Sequence, residues 1–219
     1  MNRPPFTIAL LTLPVLCGRG GWRWALWLLP LLAGCASLPP ARQDNACALL
    51  ESHPEWYESL RQSEKKWGIP VAVQMAIIRQ ESSFREDARP PRERVLWVIP
   101  WSRPTTAYGY AQALDSTWEW YRESTGNDGA QRDDFEDATD FIGWYCDQSH
   151  RRAGISRKDA YNLYLAYHEG HRGYLRKTHE SKKWLLKVAG RVREQAAEYG
   201  TQLSRCDLPR SGGFSLWPF

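Results

Sequence analysis

The segment Val71–Phe84, VAVQMAIIRQESSF, decides the fold because it is an apolar helix with a carboxylate on its inner face. Residues four apart on an α-helix share a face, so Val73, Ile77 and Glu81 point the same way. Pro70 suits the first turn of a helix, and the apolar pattern ends with this segment. The sequence therefore predicts an inward-pointing Glu81 near the C-terminal end of a buried helix.

This position has a chemical consequence for Glu81. Burial and the negative end of the helix dipole both disfavour an ionised carboxylate, so the pKa of Glu81 should be raised. A raised pKa keeps a carboxyl group protonated near neutral pH, as a general acid requires. The alternative is a glutamate at a fraying helix end that turns into solvent or pairs with Arg79 or Arg85.

The composition limits the possible architectures and partners. The chain has 219 residues, of which 42% are hydrophobic and 25% charged, which suits one domain with a single core. Twelve Trp and ten Tyr exceed what such a core needs, and they form either aromatic platforms for flat ligands such as sugar rings or ordinary packing. Three of the 29 basic residues lie in the acid-free first 34 residues, which leaves 26 basic against 25 acidic residues. This near-neutral balance argues against nucleic acid as a partner.

Residues 1–34 are predicted to be a lipoprotein signal peptide. Arg19 and Arg23 precede an uncharged run, residues 24–34, that is shorter than the roughly 20 residues of a membrane span. The sequence Leu32-Ala-Gly-Cys35 resembles the bacterial lipobox, in which Cys35 would be lipidated and become the new N-terminus. The alternative is an inner-membrane anchor with an incidental cysteine.

The residues after Cys35 bear on the location of the protein. Ala36 is not the aspartate associated with inner-membrane retention, so the resemblance to Gram-negative lipoproteins implies an outer-membrane anchor that faces the periplasm. Residues 35–46 would then be the lipidated cysteine and its tether. The expected partners are the membrane, through the lipid on Cys35, and the ligand of the domain; the oligomeric state is not predicted.

Three cysteines remain in the folded part, in keeping with an oxidising compartment. Cys47 and Cys206 bracket the periodic part of the chain, which favours a disulfide between them, and Cys146 lies in an amphipathic run as a buried thiol. The sequence alone allows three pairings. The domain is placed at residues 47–206 and a flexible tail at 207–219. No metal-ligand spacing is present, and no cofactor or metal is predicted.

The remaining pattern is helical. Apolar residues recur at helical intervals, and no run alternates as a strand would. The expected helices are Pro54–Trp67, Asp115–Tyr121 with Asp115 as its cap, Phe135–Arg152, Ala160–His168 after a capping box at Ser156, and Trp184–Leu203. The predicted fold is a single compact all-α domain.

Two further segments carry groups suited to ligand binding. Ala107–Gln112, AYGYAQ, puts a glycine and an amide side chain just before a helix. Ala166–Gly170, AYHEG, ends a helix with an aromatic ring, an imidazole and a glycine cap. Taken separately, the first is compatible with an ordinary helix-initiating loop and the second with an ordinary helix end.

Together with Glu81-Ser82, and in this order, the two segments resemble the three motifs of the lytic transglycosylases of the soluble-transglycosylase, goose-lysozyme-like group. The resemblance spans roughly residues 56–205. It implies a lysozyme-like fold and a peptidoglycan substrate. In that group the motif glutamate, here Glu81, protonates the glycosidic oxygen between N-acetylmuramic acid and N-acetylglucosamine. The substrate acetamido group assists, and the same glutamate then deprotonates the O6 hydroxyl to give a 1,6-anhydro product, so a second carboxylate is not required.

The resemblance also implies which residues contact the substrate. Ser82 would orient Glu81, and Tyr167 would hydrogen-bond Glu81 or the sugar. The other substrate-binding residues implied by the motifs are Gly109, Tyr110, Gln112 and His168.

The chain departs from the family pattern in three places. Tyr110-Ala111 replaces Leu-Met, and His168 replaces Asn, which changes the reach and charge of that side chain. In addition, 28 positions separate Glu81 from Gly109, more than the family pattern leads us to expect.

The extra length, residues 90–104, is rich in proline and apolar residues. It is compatible with a loop packed on the domain, a lid over the glycan groove or a membrane-contacting wedge. Because both its ends must lie near the cleft, we expect Trp97 or Trp101 to border the sugar-binding groove.

Two alternatives to a lytic transglycosylase remain. The first is a hydrolytic muramidase on the same fold, which would leave a reducing end. The second is a non-catalytic peptidoglycan-binding envelope lipoprotein. The non-catalytic alternative is disfavoured because the chain retains the motif residues Glu81, Ser82, Gln112 and Tyr167.

Overall fold

A computed structural model describes residues 38–90, 94–95, 99–100 and 105–208, with the backbone only at 94–95 and 99–100. All of these residues lie in one unit of the chain, Ser37–Phe219. The predicted leader, Cys35, Trp97 and Trp101 lie outside the described residues, so their roles stay predictions. In the described part of the chain, no helix combines the length and apolar character needed to cross a membrane.

The described residues form seven α-helices, which confirms the predicted all-α, lysozyme-like class. In chain order they are α1 (Ala46–Ser52), α2 (Pro54–Trp67), α3 (Val71–Ser82), α4 (Asp115–Thr125), α5 (Phe135–Ala153), α6 (Ala160–Leu175) and α7 (Lys183–Leu203). A short 3-10 helix, Thr178–Ser181, connects α6 to α7.

Two helix starts differ from the prediction. Asp115 is already the first helical residue of α4, and its carboxylate pairs with Arg132 at 2.7 Å. The cap of α6 is Asp159, whose carboxylate accepts the N–H of Asn162 at 3.1 Å, in place of Ser156. Asp159 takes this role because it directly precedes the first helical residue, from where a short side chain reaches the free N–H groups of the first turn.

Helix α3 forms the centre of the core. Every residue from 71 to 78 is buried, as in a helix that other elements surround. The helix begins directly after Pro70 and ends at Ser82, and Ser83 then takes the left-handed conformation with φ 53°. Glu81 is therefore the last residue but one of α3, where the sequence placed it.

The other helices pack around α3 and hold the loop that leads into α4. Helix α7 packs along α3, α5 contacts α2, α3 and α6, and α6 also contacts α7. Between α2 and α5, Trp56 stacks on Phe135 with ring centroids 4.3 Å apart, and Tyr110 meets both rings edge-on. These large rings fix the loop around Tyr110 against the start of α5.

The insertion between α3 and α4 contains a short antiparallel pair of strands. In this pair β1 (Arg94–Val95) faces β2 (Ile99–Pro100), with Arg94 opposite Pro100. No strand was predicted from the sequence, and this is wrong for these two segments because two residues are too few for an alternating pattern to be visible. The insertion thus adds a small hairpin to the helical domain.

A disulfide joins Cys47 of α1 to Cys206 just after α7, which is the pairing that the sequence analysis favoured. The side-chain carbonyl of Gln202 adds a second link, since it accepts the Ala46 N–H at 2.6 Å. Cys146 is a buried free thiol in α5, and burial raises its pKa to about 12, which keeps it protonated and unreactive. The two ends of the domain are therefore tied together.

Candidate active site

A pocket of about 470 Å³ opens beside the end of α3 and has Glu81 in its wall. The other walls come from the loop before α4 and from α4, α5 and α6. Of the residues that the sequence analysis singled out, Glu81, Gln112, Tyr167 and His168 line it. The pocket therefore brings together one or more residues from each of the three motifs.

Glu81 is half-buried at the pocket wall. Burial raises its pKa to about 7, and a hydrogen bond with the Tyr164 hydroxyl acts in the opposite direction. Near neutral pH such a group exists in both protonation states, so it can donate a proton in one step and accept one in the next. The raised pKa expected from the sequence is thus present.

The alternative in which Glu81 pairs with a neighbouring arginine is not seen in the described residues. The Arg79 guanidinium bonds the Asp44 carboxylate and, at 2.5 Å, the Gln195 side-chain carbonyl. Arg85 donates to the Ser82 carbonyl at 3.3 Å. Both arginines are engaged elsewhere, so the carboxyl of Glu81 keeps its raised pKa.

Tyr164 of α6 holds Glu81, a role that was not predicted from the sequence. Its mostly buried side chain hydrogen-bonds the Glu81 carboxyl, and burial together with the charge of Glu81 raises the pKa of Tyr164. Tyr164 lies one helical turn before Tyr167, and residues three apart are neighbours on a helix. That spacing is the signal that could have identified it.

Of the two partners expected for Tyr167, Glu81 and the sugar, the structure contradicts the first. The Tyr167 hydroxyl donates to the Ala111 carbonyl at 2.6 Å and not to Glu81. The ring lines the pocket and meets Tyr145 of α5 edge-on, with centroids 5.2 Å apart. Tyr167 therefore fastens the loop before α4 to α6 and offers the pocket its aromatic ring.

Gly109 shapes that loop without lining the pocket. Its φ is 76°, and a Cβ there would lie 2.0 Å from the Arg132 carbonyl oxygen. Its N–H donates to the Ala88 carbonyl at 3.0 Å. Only glycine fits between these two segments, so Gly109 fixes the position of the loop that forms part of the pocket wall.

Gln112 closes the same loop and does line the pocket. Its side-chain nitrogen donates to the Ala88 carbonyl at 2.7 Å and to the Gly109 carbonyl at 2.8 Å. Because both bonds use the amide nitrogen, the amide oxygen is the group left for a sugar hydroxyl.

Two of the expected substrate contacts lie in the core. Tyr110 is 6% exposed and packs against Trp56 and Phe135, so it stabilises the loop. Ser82 is buried, and its hydroxyl donates to the Ile78 carbonyl at 3.1 Å, one turn earlier in α3. Neither side chain lines the pocket, because each points to the inner side of its segment.

His168 lies at the pocket wall beside a second carboxylate. Its Nδ1 is 3.2 Å from Glu169 Oε1. The side chain of Glu169 is only 4% exposed, and burial alone would raise its pKa. Hydrogen bonds from Lys182 at 2.7 Å, from Thr178 and from His168 outweigh burial and lower the pKa of Glu169 to about 2. The pocket therefore contains one carboxyl, Glu81, that is partly protonated near neutral pH and a second, Glu169, that is ionised.

Gly170 interrupts α6 at the edge of the pocket. Its φ of 71° and ψ of 157° are not helical, yet the helix resumes and continues to Leu175. The sequence predicted that the helix ends here. The chain recovers because residues after Gly170 can restore the i to i−4 hydrogen bonds, so the glycine produces a break within α6 and not its end.

The helical fold and the carboxyl of raised pKa at the end of its central helix define a lysozyme-like domain. The sequence matches the family model for the transglycosylase SLT domain over residues 23–206, and the chain belongs to this family. No match was found among the curated proteins searched. Family membership implies transglycosylase activity on peptidoglycan. Within the described residues, no group of three or more His, Cys, Asp or Glu side chains is placed to hold a metal ion.

The pKa of Glu81 predicts a pH profile. We expect kcat/KM for murein cleavage to fall above about pH 7, because Glu81 then loses the proton that it must donate. Tyr164→Phe should move this limb to higher pH, because it removes the hydrogen bond that lowers the pKa of Glu81. Values of kcat/KM measured between pH 5 and pH 9 for the unmodified protein and for Tyr164→Phe test both expectations. If the fall in kcat/KM occurs at the same pH in the two proteins, the role of this hydrogen bond is contradicted.

Proposed function

We propose that the protein is a murein lytic transglycosylase. It cleaves the β-1,4 bond between N-acetylmuramic acid and N-acetylglucosamine and leaves a 1,6-anhydromuramoyl end. The observation that supports this most directly is Glu81, whose pKa is about 7 and which lies in a pocket with Gln112, Tyr167 and His168.

Glu81 would act twice in this reaction. Its proton goes to the glycosidic oxygen as the bond to C1 breaks, and the substrate acetamido oxygen stabilises the positive charge at C1. The Glu81 carboxylate then takes the proton of the muramoyl O6 hydroxyl, whose oxygen bonds to C1 and closes the anhydro ring. A pKa near 7 serves both steps, because neither protonation state is strongly favoured. Tyr164 holds the carboxyl in place for both transfers.

A hydrolytic muramidase is the second candidate, because Glu169 gives the pocket a second, ionised carboxylate. Glycosidases that use water commonly rely on two carboxyl groups. The oxygens of Glu169, however, already accept hydrogen bonds from Lys182, Thr178 and His168. These bonds suit an anchoring role, so we favour the single-carboxyl reaction.

Mass spectrometry of the muropeptides that the purified protein releases from murein sacculi tests the proposal. We expect products lighter by one water than those with a reducing end, which is the signature of the 1,6-anhydro ring. Reducing-end products would indicate the hydrolase. Binding to sacculi with no released product would indicate the non-catalytic lipoprotein.

The proposed location follows from the sequence. The Leu32–Cys35 lipobox resemblance supports a lipid anchor at Cys35 and attachment to the outer membrane on its periplasmic face. Cys35→Ser should abolish lipidation and release the protein from the membrane fraction or leave its leader uncleaved. Unchanged fractionation and unchanged electrophoretic mobility together would contradict the anchor.

A further inference from the structure

A second pocket, here called the arginine pocket, lies next to the active-site pocket. It has a volume of about 410 Å³, and its characteristic residues are Trp120, Arg152, Arg172 and Arg176. Its wall also contains Glu169 and Gly170, which line the active-site pocket as well. The break in α6 at Gly170 thus lies where the two pockets meet.

The border between the two pockets is open. A Cβ placed on Gly170 would meet no atom within 4 Å, so there is free space at this point of the chain. The aromatic wall is also continuous, since Tyr145 of the active-site pocket stacks on His171 at 4.5 Å, and His171 meets Trp120 edge-on. A long ligand that lies in the first pocket can therefore extend into the second.

The arginine pocket carries a positive charge. Among the ion pairs of the described residues, none includes Arg152, Arg172 or Arg176. The acid in the wall, Glu169, is already paired with Lys182 at 2.7 Å. The exposed arginines therefore have guanidinium groups available for an anion from outside the domain.

Trp120 gives this pocket an apolar floor. It is half-buried against Trp144, with ring centroids 4.4 Å apart, and the Arg152 guanidinium lies 4.7 Å from its ring centroid. A guanidinium stacked on an indole is held in one plane, and it can still bond a carboxylate through its edge. The pocket thus combines one guanidinium held over an indole, that of Arg152, with two further exposed arginines and an apolar surface for small side chains.

We propose that the arginine pocket binds the carboxylates of the peptide stems on the glycan strand, so that the enzyme prefers peptide-bearing murein over bare glycan. This inference rests on the proposed function, because it takes the strand in the active-site pocket to be murein. The muramoyl residues of murein carry short peptides that contain free carboxylates and alanine methyl groups. Arginine binds a carboxylate in a bidentate manner, and Trp120 can pack against the methyl groups. A lipid surface is a weaker fit, since this site is a concave extension of the cleft.

The test is a binding comparison in the full-length protein carrying Glu81→Gln, so that the chains are not consumed. The ligands are short soluble murein chains with intact peptides and the same chains after an amidase has removed the peptides. We expect about tenfold tighter binding of the peptide-bearing chains, since a few exposed charge-assisted hydrogen bonds contribute roughly this factor. Adding Arg172→Gln and Arg176→Gln should reduce the preference several-fold, because only Arg152 is then left in the pocket, and should leave affinity for the bare chains unchanged.

The matched control replaces Arg193 and Arg205 by Gln, because both are exposed, lie outside the pocket and change the charge equally. This control should keep the tenfold preference. Equal affinity for the two ligands before any arginine is changed would overturn the inference, and so would an equal loss in the control. Weaker binding of both murein ligands by the Arg172/Arg176 variant would also overturn it. So would a variant that binds both murein ligands as before and has lost only its binding to phosphatidylglycerol vesicles. Cleavage of bare chains by the protein with Glu81 intact tests the proposed function separately.

Discussion

Replacing Glu81 by Gln should lower the rate of murein cleavage by about 100- to 10,000-fold. The amide keeps the shape of the side chain but can neither donate the proton to the glycosidic oxygen nor accept one from the O6 hydroxyl. Because one carboxyl serves both steps, we expect the upper part of this range. The measurement is the release of soluble muropeptides from sacculi at equal protein concentration, with binding to sacculi measured in parallel.

The control is Glu86→Gln, which makes the same chemical change at an exposed position five residues further on and should retain full activity. Residual activity above a tenth of the unmodified protein in Glu81→Gln would contradict the assignment. So would equal losses in the two variants.

The stability of Glu81→Gln provides a second check. The folded pKa of Glu81, about 7, lies above the ordinary value of 4.5, so the folded state binds more protons between these two values. Its contribution to stability is therefore favourable below about pH 4.5 and is lost as the pH rises to 7. Gln does not titrate, so the variant should gain stability relative to the unmodified protein between pH 5 and pH 8. Thermal melts at the two pH values measure this difference.

Removing the Cys47–Cys206 disulfide should destabilise the domain by about 2–5 kcal/mol. The two cysteines are 159 positions apart, and closing so long a loop removes much of the conformational entropy of the unfolded chain. For a domain of this size the double variant Cys47→Ser/Cys206→Ser should melt on the order of 10 °C lower. Thermal melts without reductant give this difference.

Reductant provides the matched control for this prediction. It should lower the melting temperature of the unmodified protein to that of the double variant and leave the variant unchanged. Melting temperatures that agree without reductant would show that the ends are held by other contacts. The hydrogen bonds of Gln202 to Ala46 and of Tyr199 to the Gln43 carbonyl are the candidates.

The sequence alone predicted the central helix and the inward orientation of its carboxyl, and the structure decided against the alternative in which Glu81 pairs with Arg79 or Arg85. Helical periodicity acts over a dozen residues, so the faces of α3 and the inward direction of Glu81 follow from the spacing of its apolar neighbours. The raised pKa follows from the same two facts, since both burial and the helix end disfavour the charge. The order of the three motifs also pointed to the family.

The partners of the site residues were not predictable in the same way. The family resemblance implied that Tyr167 bonds either Glu81 or the sugar, whereas Tyr164 makes the bond to Glu81 and Tyr167 bonds Ala111. Both tyrosines lie on one face of α6, so which hydroxyl reaches Glu81 depends on how α6 is rotated against α3. No local sequence pattern specifies how α6 is rotated against α3.

The tertiary structure also decided which motif residues face the ligand. The side chains of Tyr110 and Ser82 lie in the core. The side chain of Glu169 is almost completely buried and forms an ion pair with Lys182. The arginine pocket likewise combines residues of α4, α5 and α6. Local spacing sets which residues share a face within one helix, because the backbone fixes it. The distances between helices are set by close packing of side chains from distant parts of the chain, and only the folded structure reveals them.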